Sequence, residues 1–322
     1  MSFSKEPKEG GNAVLAPCTA VIVTYQSAAH IGALLEALQT ERRAGLDLQV
    51  LVVDNASTDN TSAVVAQFDW VTWVESGGNL GYAAGVNIGS RLVPKERALL
   101  VLNPDLVLAP GALARLLAGL EQPGVGVVVP RVETTDGSLV PSLRNEPSIG
   151  RELVDALLGA RAARLPRRWS VMVWDTHAYE HEQFADWAVG AVLMVSSSCR
   201  AIVGDWDERY FLYCEETDFL RRVRAAGLRI RYEPTAVVRH VSGGSGTSDG
   251  HYALCAVNWL RYYRQYHARF PSAIFAAGIV LRLLVRGRRP ADRLALRALL
   301  SSTIRSNLPR ATPGPASQST HG

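Results

Sequence analysis

The sequence predicts an α/β protein, a doubly wound and mostly parallel sheet followed by a helical, basic extension, and three observations predict it. Apolar runs of strand length recur between stretches of helical periodicity, each run gives way to a polar or glycine-bearing loop, and arginines crowd into the last part of the chain. Strands that alternate with helices pair in parallel through right-handed crossovers. The loops after the strands then share one face, where sheets of this class hold ligands.

The elements follow in order. Residues 20–25 read as a first strand and residues 31–38 as an amphipathic helix. Residues 49–53 form a second buried strand that ends in Asp54, Asn55, Ala56, Ser57, Thr58 and Asp59, where capping residues precede a helical stretch at 62–68. A third short strand, 71–74, leads into the glycine-bearing loop 77–87. The apolar run 98–102 then meets Asn103-Pro104-Asp105. Proline cannot donate to a ladder and holds its neighbour extended, so Asn103 and Asp105 project from a fixed turn. A carboxylate so placed suits a hard divalent cation that grips phosphates.

Composition and charge bound the function. The chain has 322 residues, 48% hydrophobic and 20% charged, enough for one large core or two smaller ones and too apolar for wholesale disorder. Cys18, Cys199, Cys214 and Cys255 show no metal-ligand spacing and read as reduced thiols of a cytosolic compartment. No apolar stretch follows a positive start, so a secretory signal is not expected, and residues 1–17 read as a flexible leader. From Arg282 to Arg310 eight arginines face one acid, Asp292, so this segment carries +7; the whole chain carries +4, which leaves −3 for the rest.

The strand-end loops are chemically alike. Thr24-Tyr25, Asp54-Asn55, Asn79 to Asn87 and Asn103 to Asp105 can meet in one crevice, with Asp54 and Asn55 reading a base edge and Tyr25 stacking on it. Glycines there let backbone amides approach a sugar or diphosphate. Singly, each has a plainer explanation, since Asp54 to Ser57 can cap a helix and the glycines can turn the chain. Recurrence at four strand ends is what the plainer explanation accounts for poorly. The dinucleotide fingerprint and the triphosphate-binding loop are both absent, which weighs against a dehydrogenase or an ATPase.

The second half adds Glu215, Glu216 and Asp218 at the start of a helix whose outer face is basic. They either complement the positive helix end or supply a general base for an incoming hydroxyl. His240 ends a short strand before a glycine-rich loop at 242–247 and is either a hydrogen-bonded histidine or a second metal ligand beside Asp105.

Taken in order, residues 21–25, 53–59, 78–87, Asn103-Pro104-Asp105, 213–218 and His240 resemble the motifs of family 2 glycosyltransferases of the GT-A fold, over residues 18–248. Residues 136–138, 141–144 and 207–211 are similar to the rhamnosyltransferase-like branch that acts on polyprenyl-diphosphate sugars in cell-wall or surface-polysaccharide synthesis. The resemblance implies a dTDP-sugar donor, dTDP-rhamnose above all, inversion at the anomeric carbon, and Mg²⁺ or Mn²⁺. It implies a nucleotide-sugar site drawn from Thr24, Tyr25, Asp54, Asn55, Ser57, Asn79, Gly81, Asn87 and Asn103, a metal site at Asp105 and His240, and a base among Glu216, Glu215 and Asp218. Two departures stand out. Asn103 replaces the first aspartate of the family's D-x-D motif, leaving one anionic ligand. Glu216 stands where the family places a catalytic aspartate, and its extra methylene requires the pocket to absorb about 1 Å.

On the acceptor side, Arg144 suits a diphosphate, and Trp187 with Gly190 either lines the acceptor or belongs to the core. Residues 249–310 read as a helical extension in which an apolar stretch at 272–285 is too short to span a bilayer. It lies either on an anionic membrane surface, which would place the enzyme in the cytoplasm on the inner face of the cell membrane, or on the domain as a cap. Residues 311–322 read as a disordered tail. A nucleotidyltransferase lacks its basic glycine loop here, and nucleic acid is not an expected partner because no recognition module accompanies the arginines.

Overall fold

The structure is a computed structural model that describes residues 15–241, 248–287 and 289–314. The leader up to residue 14, the glycine-rich stretch 242–247 and the tail from 315 lie outside the described residues. Among the described residues the strands are β1 (Cys18–Thr24), β2 (Leu48–Asp54), β3 (Val71–Glu75), β4 (Gly78–Asn79), β5 (Ala98–Leu102), β6 (Leu106–Leu108), β7 (Val125–Thr134), β8 (Leu143–Arg144), β9 (Gln183–Ala185), β10 (Trp187–Ala188), β11 (Val192–Val195), β12 (Arg229–His240) and β13 (Thr312–Pro313). The helices are α1 (Ile31–Arg43), α2 (Thr61–Val65), α3 (Tyr82–Leu92), α4 (Ala112–Leu120), α5 (Ile149–Leu158), α6 (Ser197–Val203), α7 (Glu215–Ala225), α8 (Asp249–Tyr266), α9 (Arg269–Arg286), α10 (Pro290–Leu300) and α11 (Ser302–Ser306).

Strands β3-β2-β1-β5 pair in parallel, and the sheet continues as β11-β7-β12-β6 with β9 also on β12. The first half is the parallel sheet expected. In the second half β11 runs antiparallel between β5 and β7, so polarity changes beside the strand that delivers Asp105.

The core explains the unbroken apolar runs. Val21, Val23, Leu51, Val53, Leu99 and Val101 pack on one face of the sheet, beneath α3 and α7, while Ala20, Ile22, Val50, Val52, Leu100 and Leu102 pack on the other, against α1 and α4. Because both faces are covered, successive side chains are all apolar. Gly85 and Gly89 let α3 sit tightly on β1, since a Cβ at Gly89 would lie 2.4 Å from Val21 Cγ1.

The carboxyl-terminal helices α8, α9 and α10 share a separate core around Leu254, Val257, Leu260, Phe275, Ile279 and Leu283. Buried polar ties fasten it to the sheet domain. Trp259 Nε1 donates to Glu152 Oε2 at 2.9 Å, and the Tyr262 hydroxyl donates to Glu146 Oε1 at 2.6 Å. Glu146 is also paired with Arg221 and Arg224 of α7.

At residues 312–314 the structure differs from the disorder expected over 311–322. Thr312 and Pro313 pair antiparallel with Asn79 and Gly78, and Gly314 N donates to Gly77 O at 2.6 Å. Two glycines make this backbone-on-backbone contact feasible: a Cβ at Gly78, where φ is +152°, would lie 2.4 Å from Gly314 N.

Candidate active site

At the carboxyl end of β1 and β2, Thr24 and Asp54 stand in register. The Asp54 carboxylate accepts from Thr24 Oγ1 at 2.8 Å, Ser57 Oγ at 2.6 Å and Ser57 N at 2.7 Å. These three donors fix its orientation and leave acceptor capacity on Oδ2. Ser57 serves this site by holding Asp54. Tyr25 follows at 52% exposure, its ring open to a planar partner. Asn55 is buried, takes Thr24 O through its backbone N–H and donates Nδ2 to Gly81 O at 3.0 Å, which ties the glycine loop to β2.

The glycine loop divides into parts that differ in role. Gly81, with φ +92°, has no room for a Cβ, which would lie 2.3 Å from Phe211 O, and this approach lets Tyr82 N donate to the same carbonyl at 2.8 Å. Asn79 is the β4 residue paired with Thr312. Asn87, expected at the nucleotide, is buried instead: its side chain accepts from Trp206 N and donates to Trp206 O and Glu208. Its amide is spent on joining α3 to the 205–208 loop.

Beyond β5, Asn103 N donates to Ala191 O at 2.9 Å, fixing the strand exit against the start of β11. Asp105 follows, and its Oδ2 lies 3.5 Å from Nδ1 of His240, brought there by the β6–β12 pairing that sets His240 opposite Leu106. A carboxylate oxygen and an imidazole nitrogen at this spacing fit one divalent cation. Among the described residues no third His, Cys, Asp or Glu joins them, so the other positions would fall to diphosphate oxygens and water, the coordination that Mg²⁺ and Mn²⁺ favour.

The glutamates open α7 after an unusual turn. Tyr213 and Cys214 both hold φ of +71°, left-handed conformations that cost non-glycine residues about 1–3 kcal/mol each. Glu215 is buried, and burial together with the neighbouring Glu216 pushes its carboxyl well above the usual range. Glu216 is half-buried; burial raises it as well, opposed by amides of the helix start and by the Arg144 guanidinium. Tyr82 completes the group. Its hydroxyl is buried without a hydrogen-bond partner, and burial, then Glu215, Glu216 and Asp105, push it far above its ordinary value. Within the loop motif 78–87 nothing in the sequence assigns Tyr82 a role; its place at the first turn of a helix directly after the glycine is the available signal.

Asp218 has other work. It is fully buried, and its oxygens accept from Arg222 Nε at 2.8 Å, Gln265 Nε2 at 2.9 Å and the Tyr266 hydroxyl, which binds α7 to α8. Of the two places open to Trp187 the structure shows the core: 6% exposed, it donates Nε1 to Asn145 O at 3.1 Å and packs against Trp259, leaving no face for a sugar. Arg144 stacks over that indole with its guanidinium carbon 5.8 Å from the ring centre.

Gly190 makes room for Glu216. A Cβ there would lie 2.8 Å from Glu216 Cβ and 3.1 Å from Cγ, near the root of the side chain where rotation offers no escape. Gly190→Ala is expected to displace the carboxylate by a fraction of an ångström and lower kcat about 10–10²-fold with little change in melting temperature, checked by steady-state rates beside a thermal melt.

A model of the family described as "Glycosyl transferase family 2" matches residues 19–170. The N-acetylglucosaminyl-diphospho-decaprenol L-rhamnosyltransferase of Mycobacterium tuberculosis is 35% identical over 243 residues, 71% of this chain and 77% of the relative. Rhamnosyltransferase WbbL of Escherichia coli is 22% identical over 66% of this chain and 79% of its own length. Among solved structures, the mannosyltransferase PcManGT of Pyrobaculum calidifontis, in complex with GDP-Man and Mn²⁺, superposes with a TM-score of 0.55 at 17% identity, covering 93% of this chain and 81% of that one. The last likeness shows the fold.

Proposed function

The chain belongs to glycosyltransferase family 2, and from that premise we propose that it moves L-rhamnose from dTDP-rhamnose to a hydroxyl of a polyprenyl-diphosphate-linked sugar in cell-wall or surface-polysaccharide synthesis. The observation that carries this reading is a strand-end site in which Asn55, beside Asp54, is tied to Gly81, Asn103, two residues before Asp105, is tied to Ala191, and Gly190 abuts Glu216, in a chain whose mycobacterial relative is named for L-rhamnose transfer to N-acetylglucosaminyl-diphospho-decaprenol. The free acceptor capacity of Asp54 suits the imide N–H of thymine, a donor that cytosine lacks, and the open ring of Tyr25 suits stacking on the base.

In the proposed reaction the acceptor oxygen attacks the anomeric carbon from the face opposite the diphosphate, the bond from that carbon to the β-phosphate oxygen breaks, and dTDP leaves. Glu216 takes the acceptor proton, and configuration inverts in one displacement. Arg144, beside Glu216, favours its ionised form. Asp105 and His240 would hold a divalent cation, which supplies positive charge to the leaving diphosphate when bound.

The test is release of nucleoside diphosphate from dTDP-, UDP- and GDP-sugars, with a polyprenyl-diphosphate-linked sugar and with Mg²⁺, Mn²⁺ or a chelator. Lipid-dependent release from dTDP-rhamnose supports the reading. Release from another donor overturns the rhamnose assignment and keeps the enzyme class.

We assign the enzyme to the inner face of the cell membrane as a peripheral protein. Among the described residues no helix is long and apolar enough to cross a bilayer. On α9, however, Phe270, Ala273, Ala277 and Leu284 are exposed at spacings that place them along one stripe, and Arg289, Arg293 and Arg297 are exposed nearby in sequence. Apolar insertion with basic attraction is the chemistry of an anionic surface. The protein is expected to float with vesicles containing phosphatidylglycerol and to stay behind with phosphatidylcholine alone, and the double variant Phe270→Asp with Leu284→Asp is expected to lose flotation while keeping its melting temperature.

A further inference from the structure

The proposed base sits immediately after a turn that its own residues resist. Neither Tyr213 nor Cys214 is glycine, yet both hold φ of +71°. An isolated turn of this kind would relax and carry the start of α7 with it. Two groups from distant parts of the chain hold it. From the glycine loop, Tyr82 N donates to Phe211 O at 2.8 Å. From α8, Asn258 Nδ2 donates to Leu212 O at 2.9 Å and Tyr213 O at 3.3 Å. Asn258 is 1% exposed, and the next residue, Trp259, is anchored to Glu152, so the amide is delivered from a fixed helix. Because one NH₂ group serves both carbonyls, losing it removes the donor they share at the same strained point.

We propose that Asn258 is a positioning residue for Glu216, holding from the carboxyl-terminal helices the left-handed turn that places the glutamate beside Gly190 and Arg144. The inference rests on the assignment of Glu216 as base. It gives the carboxyl-terminal helices a part in the chemical step in addition to any part in membrane docking: α8 supplies the clamp without which the base is misplaced.

The experiment compares Asn258→Asp, nearly the same size but without the two donors, with Asn258→Ala and Glu216→Gln in the full-length protein, reading kcat, donor KM and melting temperature for each. Asn258→Asp is expected to lower kcat at least about tenfold with donor KM within about twofold. Cys214→Gly, which accepts the left-handed conformation without strain, is expected to restore part of the kcat lost in Asn258→Ala, a rescue that a general packing role for Asn258 would not produce. A folded Asn258→Asp enzyme with wild-type kcat, or no rescue by Cys214→Gly, overturns the inference. Should Asn258→Asp fail to fold, the rescue pair decides alone. Glu216→Gln separates the two layers: full activity in that variant overturns the base assignment itself and the inference with it, whereas an inactive Glu216→Gln beside a fully active Asn258→Asp overturns the inference only.

Discussion

Glu216→Gln is expected to lower kcat by about 10²–10⁴-fold while donor KM stays close to wild type, because the carboxamide keeps the shape of the side chain and loses its ability to accept the acceptor proton. Glu215→Gln is expected to keep most of the activity. Burial and the adjacent Glu216 hold the Glu215 carboxyl well above the usual range, which favours its protonated form, the form a carboxamide imitates. The two neighbours are thereby told apart by one isosteric change at each. The pH dependence follows with a definite sign. A base acts deprotonated, and burial raises Glu216, so kcat/KM should be low in acid and climb with pH through a midpoint above the ordinary glutamate value of 4.5. Arg144 opposes that rise; Arg144→Met should therefore move the acid limb to still higher pH, whereas Glu215→Gln should leave it nearly in place. An acid limb at the ordinary glutamate position, or one that moves downward without Arg144, would remove the base from Glu216.

The placement of the strand-end residues was legible in the chain because a parallel sheet converts sequence position into spatial position. Thr24, Asp54 and Asp105 each follow a buried apolar run, and runs of that kind have one functional end. The residues that the sequence left undecided or placed at the ligand, and that the structure turns elsewhere, share a different property: their partners are far away in sequence. Asn87 is satisfied by Trp206 and Glu208, Asp218 by Gln265 and Tyr266, and Trp187 by Asn145 and Trp259, and no local pattern distinguishes a polar side chain turned toward a ligand from one turned toward a distant loop. Gly190 shows the same limit from the other direction. Its sequence context suggests an acceptor contact, and the structure gives it a steric role that depends on where α7 begins. The antiparallel insertion of β11 was hidden for a plainer reason, since four apolar residues carry no sign of strand direction. The β13–β4 pairing escaped because a Pro-, Ser- and Thr-rich composition speaks for disorder while two glycines, Gly78 and Gly314, decide the contact.

Asp105→Asn is expected to reduce turnover on the order of 10²-fold or more and to erase most of the difference between assays with Mg²⁺ or Mn²⁺ and assays with a chelator. The size of the effect comes from the neighbour at 103. With asparagine there, Asp105 would be the anionic ligand of the strand exit, and His240, 3.5 Å away, would offer only a neutral nitrogen. Removing the charge leaves two neutral donors in place of a carboxylate and an imidazole, a set that holds a hard cation poorly. His240→Asn should be milder, about tenfold, because the carboxylate stays and an amide oxygen can reach a similar point. Binding decides the matter apart from turnover: titration of Mn²⁺ in the presence of dTDP should give a site in the wild type, a weakened one in His240→Asn and none in Asp105→Asn. The converse variant, Asn103→Asp, restores a second carboxylate and should tighten Mn²⁺, which ties metal affinity to carboxylate count at one turn; unchanged Mn²⁺ binding in both Asp105→Asn and Asn103→Asp would place the cation elsewhere.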